Sequence, residues 1–433
     1  MIKKKYKILI ILILVLVLLP AGGYIALHSS KVQTFLIRKI AYQMSQKLNA
    51  KFTVESVDFA FFNRVILRSV VVEDLQQDTL LYARKVTAHL NAFHRKRKQV
   101  VLNNVRLEDS EFNLRTDSTG TINLRFIIDA IKENRDSTDT KLDLKISKIE
   151  VRDSRFSLRL NKSKPKDIGI DFSDLDLLYL NFNLSGFSIF NDTVGFKIAD
   201  LSFTEKSGFQ VDRWDTYFEI SRTRLNFKEL SMVTPLSELF ADHLTFRYNN
   251  YSELKEFIRL VKLDLRINSS DLNFSDIGFF APSLVWFNQN VDLSGSFTGE
   301  VDDLKGKNVS LQFSDQTAIE GNFEIEGLPD LNETFIFIDI NNLTTSIENM
   351  EEFEKLDTGE KLILPESFKR LGIINFSGNF TGFIDDFVTY GKFSSDLGII
   401  STDLSIRPDT AGYLNFRGRL KTFDFEIGEL VNS

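Results

Sequence analysis

Cysteine is absent from the 433 residues. That excludes disulfides, thiolate nucleophiles, Cys-ligated zinc and lipid attachment through an N-terminal cysteine. Histidine is nearly absent: His28, His89, His94 and His243 are the only four. No two of them have metal-ligand spacing on a helix. There is no nucleophile elbow, phosphate-binding loop or dinucleotide fingerprint. The chain is therefore expected not to be an enzyme and to carry no cofactor. Proline is scarce, at 7 residues, which leaves turning to Gly, Asn, Asp and Ser. The adjacent pairs Asp302-Asp303 and Asp385-Asp386 suggest calcium at first sight. Neighbouring residues on a strand or turn point apart, so turn formation is the expected role.

Phenylalanine is what the chain has in excess: 40 Phe against 10 Tyr and 2 Trp. A ring that needs no hydrogen-bond partner suits a dry core or an apolar channel. Charge is unevenly spread. Residues 1–100 hold 17 Lys+Arg and 5 Asp+Glu, a net of +12, and the whole chain is −7, so the remainder is −19. A basic first part fits anionic lipid headgroups, and an acidic body speaks against nucleic acid.

Residues 8–27 form an uncharged, mostly apolar run behind Lys3, Lys4, Lys5 and Lys7. As a helix rising about 1.5 Å per residue it matches the roughly 30 Å hydrocarbon core of a bilayer. Ile8, Leu12, Leu16, Leu19, Tyr24 and Leu27 are its expected membrane-facing anchor residues. The lysines favour a cytoplasmic N-terminus and export of the rest. A cleaved signal peptide is the alternative, but Ala26-Leu27-His28 is a poor cleavage site. The expected organisation is a tip and transmembrane anchor over residues 1–30, an amphipathic helix over 31–51 and a β structure over 52–433. Val32, Phe35, Leu36, Ile40, Met44 and Leu48 carry the helical spacing.

From residue 52 onward the pattern has period two, the mark of antiparallel strands with one apolar and one wet face. Phe59 and Phe61 belong to it. So do Leu178, Leu180, Phe182 and Leu184, and likewise Leu263, Leu265 and Ile267. These nine are the candidate lining of an apolar face. Short helices are expected over 123–134, 236–240, 252–259 and 346–355. One internal repeat is present: residues 293–303 and 376–386 share Ser, Gly, Phe, Thr, Gly, Asp and Asp at a constant offset of 83. Such a repeat points to a structure extended by stacking strand bundles.

Residues 48–59 (LNAKFTVESVDF) and 65–74 (VILRSVVVED), following the span and helix, resemble the opening of the AsmA-like family, most closely its TamB branch. Residues 80–90 and 101–109 look like the next family strands. Asn123 resembles the residue that opens the family's first inserted helix. Gly295 with Gly299, Leu343-Thr344-Thr345, and Gly378 with Gly382 look like its later strand patterns. The resemblance implies a mainly β fold of repeating β-groove units, an elongated, twisted half-pipe with an apolar lining. It implies inner-membrane anchoring with the bulk in the periplasm. It also implies outer-membrane biogenesis, with phospholipid as cargo and an Omp85-type outer-membrane partner. The family supplies no catalytic residues, and TamB proteins are longer than this chain.

Two other readings stay open. One is an exported β-sandwich scaffold or adhesin without lipid transport, which would show self-contained repeats of about 100 residues joined by polar linkers. No such linker follows residues 137–139. The other is a chaperone that pairs client strands with a free sheet edge.

Overall fold

The computed structural model describes residues 50–431, together with Thr34, Tyr42, Ser45 and Gln46. Within that span it leaves out 61–62, 95–98, 118–119, 128, 130–142, 161–168, 191, 282–288, 315–316, 331–332, 353–360, 362 and 409–413. The expected anchor, with Ile8, Leu12, Leu16, Leu19, Tyr24 and Leu27, and also Phe61, lie outside the described residues. Among the described residues no helix is long and apolar enough to cross a membrane.

The chain is mainly β, and its described residues form twenty strands and a few short helices. It divides into two compact units. One comprises 1–165, 171–186 and 202–208, and the other 166–170, 187–201 and 209–433.

In the first unit, β1 (Phe52–Ala60), β2 (Arg64–Glu73), β3 (Thr79–His94) and β4 (Gln99–Arg115) pair in succession, all antiparallel. Thr34, Tyr42, Ser45 and Gln46, ahead of β1, are helical, and two of them hydrogen-bond to its backbone. Thr34 Oγ1 accepts from the Val57 N–H at 3.0 Å, and Ser45 Oγ accepts from the Phe52 N–H at 2.8 Å. Side-chain hydroxyls thereby satisfy backbone groups that an edge strand would otherwise offer to another chain.

The antiparallel expectation fails at one place. β5 (Asp143–Ile146) and β6 (Lys148–Arg159) both pair with β4 in parallel. Parallel neighbours need a crossover of a dozen or more residues, and residues 116–142 supply it. Arg125, Phe126, Ile127 and Asp129 in that stretch are helical, within the helix expected over 123–134. β7 (Asp174–Phe190) then pairs antiparallel with β6.

In the second unit, β9 (Gln210–Ile220), which follows β8 (Thr193–Glu205), opens an antiparallel ladder that runs strand by strand to β20 (Leu414–Phe423). Residues 236–240 are a turn and the start of β11 (Glu238–Arg247), not a helix. Aromatic Phe240 favours the extended chain there, and β-branched Thr245 and aromatic Phe246 continue it along β11. Helical turns do occur at Tyr251–Glu256, Phe257–Leu260 and Ile347–Met350. The last is capped by Ser346, whose hydroxyl accepts from the Asn349 N–H.

The 83-residue repeat maps onto β13 (Asn290–Glu300) and β17 (Ile373–Gly382). Its glycines share a conformation that other residues rarely adopt. Gly295 and Gly378 have φ of 149° and 155°, and Gly299 and Gly382 have 111° and 141°. A Cβ at Gly299 would lie 2.1 Å from the Asp303 carbonyl oxygen, and one at Gly382 would lie 2.3 Å from that of Asp386. The repeat therefore conserves a backbone that only glycine enters without strain.

Candidate functional site

Residues directly opposite in a β-ladder share a face, so register alone traces side-chain rows across many strands. In the second unit one such row starts at Phe218 and passes through Phe227, Leu244, Leu265 and Phe297 to Gly306. It continues through Phe323, Ile338, Phe380 and Thr389 to Leu404. A parallel row one pair further along runs from Leu225 through Phe246, Leu263, Gly299 and Leu304 to Ile325. It goes on through Ile336, Gly382 and Phe387 to Ile406. No charged residue enters either row. Glycine in the row is roofed by rings: a Cβ on Gly306 would lie 2.3 Å from the Phe323 ring.

The opposite face has the reverse character. Its row reads Asn226, Thr245, Asp264, Thr298, Lys305 and Glu324, with Phe337 and Val388 as later apolar members. Lys305 pairs with Glu324 at 3.0 Å and Lys228 with Glu219 at 2.8 Å. Burial pushes the Glu219 carboxyl up, and hydrogen bonds from Lys228 and Asn226 bring it below its ordinary value. For Asp264 burial again pushes up, and His243 and Arg247 reverse it.

The apolar face is bounded at both strand ends. Tyr248, Val261 and Leu263 form a buried cluster against Leu225, Phe246 and Leu254 at one end. Ile347, Leu371 and Ile374 form another, against Phe368, Phe393 and Phe425, at the other end. Between these caps most row residues are only half-buried, and Phe297 is 9% exposed. Ring-to-ring contact runs across five strands and onto a helix. Phe187–Phe196 is 6.0 Å between centroids, Phe196–Phe218 5.3 Å, Phe218–Phe227 4.9 Å, Phe227–Phe246 6.2 Å and Phe246–Phe257 5.5 Å.

Leu263 and Leu265 fall in these two rows, and Ile267 lies in a third beside Ala241 and Gly295. In the first unit an equivalent row reads Val57, Leu67, Val86, Leu107, Val151 and Phe182. Phe59 and Leu184 are the two ends of its neighbour, which passes through Val65, Ala88, Val105 and Ile149. Leu180 is buried, at 5% exposure. Leu178 breaks the expected alternation. Tyr179 has φ of 54°, the ladder shifts there, and Leu177, not Leu178, stands opposite Phe156. Bulges carry no compositional signal that a period-two reading detects. The rows of Gly306, Phe323 and Phe380 were also missed from sequence, because strand length and register decide which alternating residues align.

Among the described residues no group of three or more His, Asp or Glu is placed to hold a metal ion. No family model, curated protein or solved structure matches the chain.

Proposed function

We propose that this is an inner-membrane-anchored periplasmic protein of outer-membrane biogenesis whose apolar sheet faces carry phospholipid acyl chains. The AsmA-like resemblance supplies the location, the half-pipe geometry and an Omp85-type outer-membrane partner. The carrying observation is the uncharged row from Phe218 to Leu404, eleven strands wide and half-buried between two capped ends. An uncovered apolar face of that length costs solvation free energy. Each methylene laid on such a surface gains about 0.8 kcal/mol, so acyl chains are a fitting cover.

A β-sandwich scaffold is the other reading. In a sandwich two sheets bury each other's apolar faces. Within the second unit the rows lie on one continuous ladder, and no strand of that ladder pairs back to close it among the described residues.

Photocrosslinking amino acids at Leu265, Phe323 and Phe387 in cells should capture phospholipid, and at Lys305 and Asp403 on the polar face should not. Capture of protein alone, or of nothing, at all three apolar positions overturns lipid carriage.

A further inference from the structure

One row on the polar face has a charge order that a sheet does not favour. Arg224 stands opposite Arg247, and Arg247 opposite Lys262. Beyond Lys262 come Glu300, Asp303 and Glu326, with Glu300 opposite Asp303 and Asp303 opposite Glu326. Like charges directly opposite one another destabilise a ladder, and here they are grouped rather than alternated. Each cation touches one carboxylate at long range: Arg224 to Glu219 at 3.7 Å, Arg247 to Asp264 at 3.3 Å and Lys262 to Glu300 at 3.7 Å. Arg247 and Lys262 are exposed and Arg224 is half-buried, and an arginine has five donors, so donors remain unused by these contacts.

The three cations line a cleft of about 470 Å³ at the ends of the strands, where the two faces meet. Thr223 and Ser221 add hydroxyls to it, Asp192 is the one acidic side chain among its described lining residues, and Tyr248 and Leu260 form its apolar side. Tyr248 belongs to the buried cluster that caps the apolar rows. Burial, with Tyr251 beside it, pushes its phenol up to about 12, so it stays neutral. Leu260 ends the short helix whose Phe257 packs 5.5 Å from Phe246 of the row. Phe257, Ile258 and Leu260 are themselves exposed. Cationic donors and exposed hydrocarbon thus adjoin at one strand end.

We infer that this cleft binds the phosphate of a phosphorylated amphiphile, with Arg224, Arg247 and Lys262 on the phosphate and the hydrocarbon passing Leu260 and Phe257 onto the apolar face. The inference rests on the acyl-chain reading above and adds headgroup selectivity to it. A bound phosphate relieves the repulsion among the three cations, and guanidinium–phosphate hydrogen bonds are among the strong ones.

The test uses the full chain in an uncharged detergent, with dioctanoyl phosphatidic acid, dioctanoylglycerol and inorganic phosphate as probes. The phosphorylated lipid should bind on the order of tenfold to a hundredfold more tightly than the uncharged lipid, with inorganic phosphate weakest. The variant R224Q/R247Q/K262Q should lose most of that preference yet still bind dioctanoylglycerol as the parent does, which also reports that it is folded. Equal affinity for the two lipids, or a preference that survives the triple variant, overturns the headgroup site and leaves lipid carriage standing. Inorganic phosphate binding as tightly as the lipid overturns the amphiphile and shows a free-anion site. Failure of both lipids to bind overturns the acyl-chain reading, and this inference with it.

Discussion

Glu150, on β6, is a charge the fold has enclosed. It is 6% exposed, and it accepts hydrogen bonds from Arg106 Nε at 2.7 Å, Asn104 Nδ2 at 3.1 Å and Lys148 Nζ at 2.8 Å. Burial pushes its carboxyl up, and Lys148 and Arg106 more than reverse that, bringing it down from 4.5 to about 2. A depressed carboxyl stabilises the fold above its unfolded value and loses that stability as pH falls towards the folded value. Unfolding free energy should therefore drop between pH 4.5 and about 2 in the parent, and the part due to Glu150 should vanish in Glu150→Gln. At neutral pH that variant should be less stable by about 1–3 kcal/mol, read from urea titrations. An unchanged acid limb in the variant would remove Glu150 from the explanation. Asp74 plays a similar part at the β2–β3 turn. Burial pushes its carboxyl up, but Asn123, the N–H groups of Asp78 and Gln76, and Arg115 hold it below its usual range. It thereby ties that turn to the end of β4 and the start of the crossover.

At the scale of elements, the repeat is a backbone device. Gly299 and Gly382 occupy matching positions near the ends of β13 and β17, each with positive φ and each against a carbonyl oxygen just across the turn that follows. Gly382→Ala and Gly299→Ala should each cost about 1–3 kcal/mol by denaturant titration, while alanine at Gly428, which has nothing within 4 Å, should cost less than about 1. Equal costs at all three would show that the repeat reflects something other than backbone geometry. Bulges act at the same scale. Asp153 and Tyr179 have φ of 50° and 54°, and the β6–β7 register shifts between Val151 and Ser154 and again between Ser154 and Phe156. The irregularity adds local twist and changes which residues stand opposite one another, and that is how Leu178 leaves its expected place.

At the scale of the molecule, the two faces of the second unit's sheet should respond differently to truncation. Phe297 is 9% exposed and lies 6.1 Å from Phe323 between ring centroids. Phe297→Ala should cost about 3–4 kcal/mol, whereas Phe337→Ala on the polar face should cost less than about 1.5. Similar costs would contradict the assignment of faces.

The β class, the short helices at 252–259 and 346–355 and the repeat positions were legible in the sequence because they depend on local periodicity, capping and glycine. The alternation that aligns Phe182, Leu263 and Leu265 with apolar partners was legible for the same reason, whereas Leu180 stands opposite Ser154. The parallel crossover at β4 was not, because alternation looks alike in either strand direction. Nor was the grouping of Arg224, Arg247 and Lys262, which lie 23 and 15 residues apart in the chain and become neighbours only through register. By itself the sequence determined which residues alternate, where glycine must turn the chain and that no thiol chemistry is present. Only the tertiary structure decided which alternating residues align into one row, because register is set by pairing, bulges and turns that act between strands.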